Sequence, residues 1–222
     1  QASNIYKSWS SRNTALQNQI SEVNKEIGLQ QQAYNKYMSA ANGVGLNESW
    51  AKKVRNGEID INTIKDEALA DKIKSYQDYY EKALDCEDAI RELREEESKL
   101  YAQRFENVQT QYDGILQGYE HTEAMLNEYI TQSEAQGHIV STKYYDALID
   151  NEKQGIAQLR KEQLALIAER DRAVAEGKIT KGSEAWYEQC AAIDEVTQSI
   201  EESTTAIFEY ERAIEEINWS VF

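Results

Sequence analysis

Residues 183–221 read SEAWYEQCAAIDEVTQSIEESTTAIFEYERAIEEINWSV, and the spacing within them decides the fold. Every seventh residue is large and apolar: Trp186, Ile193, Ile200, Ile207, Ile214 and Val221. Three residues further on run Val196, Tyr210 and Ile217, with Ser203 as the polar exception in that row. Just before the large row lies a small one, Ala185, Ala192, Ser199, Ala206, Ala213 and Ser220. A seven-residue repeat keeps one seam on one side of a slightly underwound helix, and small neighbours let a second backbone approach the seam's flank. On the opposite side stand Glu188, Glu195, Glu202, Glu209 and Glu216, a row that reads as solvated. Such a helix is marginal alone in water and needs neighbours against its seam.

Composition supplies those neighbours. The 222 residues contain no proline, where average usage would give roughly 11. Proline is excluded from helix interiors because it lacks an N–H and clashes with the preceding turn. Apolar residues at three-and-four spacing predict helix one over about 3–41, ended by Asn42-Gly43-Val44-Gly45. Asn47 is expected to cap a short second helix that Asn56-Gly57 closes. Helix three is predicted over about 66–136, some 105 Å of helix rise, passing through Gly114 and Gly118. On its charged surface Glu87 precedes Arg91 and Glu95 precedes Lys99 in the favourable four-residue order. Gly137-His138 ends it, and Ser141 is the expected cap of helix four. Gly155, inside helix four, is expected to mark a close helix crossing. Gly177 ends that helix, and Ser183 caps helix five.

Short connections force antiparallel neighbours. The expected fold is therefore all-α: elongated antiparallel hairpins, with a coiled-coil three-helix bundle around one very long helix. Residues 1–65 form an N-terminal helix plus a short helical cap. Residues 66–222 form the long helix and its two return helices, and helix one folds back along the first half of helix three.

Charge narrows the partners. The formal net charge is −16, and residues 183–222 carry ten carboxylates against the single Arg212. An acidic surface repels phosphate, which disfavours nucleic acid and anionic membranes. No apolar run approaches the ~20 residues of a membrane span. The Glu188–Glu216 row keeps the helix soluble or, as the alternative, offers a docking face to a basic partner. The 14 tyrosines at helical spacing read as core and seam packing, with leftover tyrosine seams leaving self-association open. Cys86 and Cys190 read as reduced, packed thiols, although their spacing permits a disulfide as well.

No chemistry is spelled out by spacing. His121 and His138 stand apart from any metal motif, and His138 beside a terminating glycine reads as a cap or turn residue. The acidic stretch 58–64 lacks the mid-loop glycine and spaced oxygens of a calcium loop and reads as a capping turn. Gly177 and Gly182 have a phosphate-loop separation, but Ser183 stands where the lysine would be. Neither a catalytic nor a metal or cofactor residue is expected. The start at Gln1 rather than methionine predicts a segment of a longer protein.

Certain motifs add a resemblance. Gly137-His138-Ile139-Val140-Ser141 with Tyr144-Tyr145, Gly177-Lys178-Ile179, residues 182–187 and the closing Trp219-Ser220-Val221-Phe222 resemble tail tape-measure proteins. These belong to long-tailed phages and prophages of Gram-positive gut bacteria. The stretch from Val54 to Ile61 is similar to them too, so the likeness covers most of residues 40–222. Its motifs are turns and caps. The resemblance implies a virion structural protein whose helical body helps set tail length. Its partners would be tail-tube subunits and tail-assembly proteins, and its location the virion tail, with host cytoplasm during assembly.

Overall fold

Glycine and short polar side chains punctuate the chain where the sequence places them. The computed structural model describes residues 2–220, and side chains from Trp9 to Trp219 apart from Ser10. It contains α1 (Ala2–Gly43), α2 (Glu48–Arg55), α3 (Glu67–Ala135), α4 (Thr142–Ala175) and α5 (Glu184–Ser220). One 3-10 turn sits at Ile61–Thr63, and there are no strands among the described residues. The fold is all-α.

The caps explain the boundaries. Asn47 Oδ1 accepts from the Trp50 N–H at 3.1 Å and starts α2. Asp60 Oδ1 accepts from the Asn62 N–H at 3.0 Å, closing the acidic stretch into the 3-10 turn. Asp66 Oδ1 accepts from the Leu69 N–H at 3.1 Å and starts α3. Gly137 ends α3 at φ +72°, a conformation that lets the His138 N–H donate back to the Ser133 carbonyl at 3.0 Å. His138 thus serves the turn through its backbone. Ser183 Oγ accepts from the Trp186 N–H at 3.3 Å and caps α5. Ser141 corrects an expectation: it occupies the cap position of α4, but its side chain makes no capping hydrogen bond. The first turn is closed instead by the Tyr144 N–H donating to the Ser141 carbonyl at 3.1 Å. On the charged surface of α3, Arg91 pairs with Asp88 at 2.7 Å rather than with Glu87.

The chain divides into two compact units, residues 17–100 and residues 1–16 with 101–222. The division falls inside α1 and α3, whereas the sequence places it at 65/66. The first turns of α1 belong with the second half of α3, where Asn107 Nδ2 donates to Asn13 Oδ1. In the unit of residues 17–100, Ala41, Ala51 and Tyr76 are buried together, with Leu46, Val54, Tyr79 and Tyr80 packed against them. The Tyr76 hydroxyl accepts from Arg55 Nη1 at 2.8 Å, tying α2 to α3.

In the other unit, α3, α4 and α5 share one core. Phe105 and Val108 of α3, Leu159 and Leu166 of α4, and Ile193 and Val196 of α5 are buried as a cluster. A second cluster of Ile130, Val140 and Leu148 is covered by Leu126, Tyr144, Tyr145 and Tyr210. Cross-helix pairs fix the directions. Arg104 meets Glu169 and Tyr119 meets Asn151, so α4 returns along α3. Arg170 meets Cys190 and Gln163 meets Thr197, so α5 returns along α4.

Gly155 is buried in this unit, yet a methyl group placed on it would touch nothing within 4 Å. The close crossing expected there is therefore absent. Glycine in a helix interior costs about 1 kcal/mol relative to alanine through backbone entropy. Gly155→Ala is accordingly expected to raise stability by about 1 kcal/mol in urea unfolding. A loss of stability would show that the space beside Gly155 is already filled.

Candidate functional site

The rows of α5 separate cleanly by exposure. Ile193 is buried; Trp186, Ile200, Ile207 and Ile214 are half-buried, and Val221 lies outside the described residues. Of the row three residues on, Val196 is buried while Ser203, Tyr210 and Ile217 are half-buried. Glu188, Glu195, Glu202, Glu209 and Glu216 are all exposed. Three large aromatic side chains on the same helix are exposed as well: Tyr187, Phe208 and Trp219. The first two share a heptad row with Asp194, Glu201 and Glu215, which are also exposed.

Inside the α3–α4–α5 bundle, a polar layer separates the two apolar clusters. A cavity of about 340 Å³ opens there between Glu120 and Glu123 of α3, Glu152 and Gly155 of α4, and Ser199 and Ser203 of α5. The Ser203 hydroxyl donates to the Glu152 carboxylate, which burial nevertheless pushes above the usual glutamate range. Ser203 interrupts an apolar row because its partner is a buried acid. Tyr210 donates to Glu123 Oε1 at 2.9 Å, and burial raises its phenol to about 12. Asn151 Nδ2 donates to the Tyr119 carbonyl at 3.0 Å. These bonds meet the polar groups that helix packing takes out of water.

Two further charged groups lie in the same interior. Arg104, 6% exposed, donates to Glu169 Oε1 at 2.9 Å, and Arg172 approaches the same oxygen at 3.6 Å. Glu162, 3% exposed, is pushed up to about 7 by burial, with Asp113 across from it adding to the rise. Pattern alone does not separate these acids from the surface ones. Their helix position does, because Leu148, Glu152, Gly155, Leu159, Glu162 and Leu166 follow one another at four-and-three spacing, and all are buried.

A second, larger groove of about 790 Å³ lies between α3 and α4, where Gly114 and Gly118 leave the α3 surface bare. Its walls include exposed Thr122, Ala147 and Asp150. Both cysteines are free. Cys86 is buried in the unit of residues 17–100, and Cys190 accepts from Arg170 Nη1 at 3.5 Å. Among the described residues no group of three or more His, Cys, Asp or Glu is arranged to hold a metal ion. Among the same residues, no helix is long and apolar enough to cross a membrane. Set against known proteins, the chain matches no family model, no curated protein and no solved structure.

Proposed function

We propose that this chain is a structural segment of a virus tail, of the tape-measure kind, which works by helical span and side-chain contact rather than by catalysis. The observation that carries the reading is α3, whose 69 residues run unbroken through two glycines. A helix converts residue count into length at a fixed 1.5 Å per residue, so such an element is suited to spacing other parts. The motifs that resemble tape-measure proteins support the reading further. Two of them fall at the α3–α4 and α4–α5 turns, where they direct the chain back on itself. The test is mass spectrometry of purified virions or tails from the host that carries the gene. Peptides from this chain are expected beside those of the tail-tube subunit. Their recovery from the cell lysate but not from the tails would overturn the proposal.

A further inference from the structure

We propose that the outer face of α5 is a docking surface for a lysine- and arginine-rich amphipathic helix of a partner protein. The inference stands apart from the tail reading, because it rests only on what this one helix leaves in solvent.

Three heptad rows make the face, two outer ones and, between them, the exposed row of Glu184, Ala191, Gln198, Thr205, Arg212 and Trp219. One outer row holds Tyr187, Asp194, Glu201, Phe208 and Glu215, and the other is the five-glutamate row; all ten of these residues are exposed and none is basic. From Tyr187 to Glu215 the first row covers about 42 Å, or roughly eight helical turns. Arg212, the single base on the face, stands on the middle row and is already held by Glu216 at 3.2 Å. Single exposed ion pairs contribute little. The eight carboxylates of the outer rows act together, however, raising a negative potential that steers and orients a cation-bearing partner.

The aromatics distinguish this face from a merely solvated one. Phe208 is 65% exposed and Trp219 79% exposed, so neither has yet buried its large apolar surface. Aromatic faces attract ammonium and guanidinium groups and also accept aliphatic side chains. Carboxylates with exposed aromatics set among them therefore fit a helix that carries both cations and leucine-like residues. Nucleic acid and anionic lipid are repelled by the same charge, and a second copy of α5 would bring like charges together.

The test uses the whole chain and a synthetic 28-residue amidated peptide with a lysine/arginine face and a leucine face, followed by calorimetry. Glu195→Lys/Glu202→Lys/Glu209→Lys is expected to weaken binding at least tenfold at unchanged helicity. Phe208→Ser should weaken it at least threefold. Reversing three exposed carboxylates elsewhere, Glu22, Asp71 and Glu92, should change it less than threefold. The corresponding triple glutamine variant gives the same direction of change should the lysine variant fail to fold. Equal losses from both reversals, or full affinity after either α5 substitution, would overturn the proposal. So would a wild-type dimer that the α5 reversal dissolves, since the face would then belong to a second copy.

Discussion

Ile193→Asp is expected to remove most of the stability of the α3–α4–α5 bundle. Ile193 is 6% exposed and sits in the cluster formed by Phe105, Val108, Leu159, Leu166 and Val196. The substitution forfeits the ~2–3 kcal/mol of burying an isoleucine and places a carboxylate in an apolar site. The combined cost should exceed about 4 kcal/mol, a large part of the 5–15 kcal/mol that holds a typical domain together. Ile200→Asp makes the comparison informative. Ile200 packs at the edge of the same cluster and is half-buried, so its carboxylate can reach water, and a loss of about 2 kcal/mol is expected. Thermal and urea unfolding at pH 7 read both. An unchanged transition for Ile193→Asp, or a larger loss at Ile200 than at Ile193, would contradict the packing of α5 described here.

Glu162→Gln should have the opposite sign, and only in one range of pH. Below about pH 4.5 the carboxyl is protonated in both folded and unfolded chains, so the variant and the parent are alike. Between pH 4.5 and 7 the folded chain keeps a proton that the unfolded chain has released, because burial holds Glu162 up to about 7. Stability of the parent therefore falls as pH rises through that range. Above pH 7 the bundle carries a buried carboxylate in full, and glutamine relieves it. The expected gain is about 2–3 kcal/mol at pH 8 and close to none at pH 4. Burial raises Glu152 as well, which adds a pH dependence of the same sign to the parent. Denaturant unfolding of both proteins at pH 4, 6 and 8 checks the prediction. A Glu162→Gln gain that is the same at all three values would show that the side chain is not a buried acid.

Element order was legible because its signals are local. Asn47 and Ser183 each cap a helix through a bond to a backbone N–H three residues on, and Gly137 and Gly177 take up the left-handed turns that stop helices. The heptad pattern of α5 likewise marks Ile193 and Val196 without reference to the rest of the chain. The interior polar layer was less visible because its meaning is pairwise. Glu152 and Glu162 look like surface acids until one counts forward from Leu148 and finds them in the buried stripe. Ser203 looks like a flaw in the apolar row until Glu152 stands across from it. Gly155 was misread for a related reason: glycine in a helix signals either close approach or empty space, and only the neighbouring helices decide which. The grouping of the first turns of α1 with the second half of α3 was not legible either, since contacts such as Asn13 meeting Asn107 join residues more than ninety apart in the chain.

Tail length measured by electron microscopy tests the proposed role most directly. Removing 21 residues from α3, in the genome of the virus or prophage to which the proposal assigns the chain, takes away about 32 Å of helix rise. If helical span sets the spacing of tail parts, tails should shorten by about that amount, with their other components unchanged. Intact tails of the original length would contradict it.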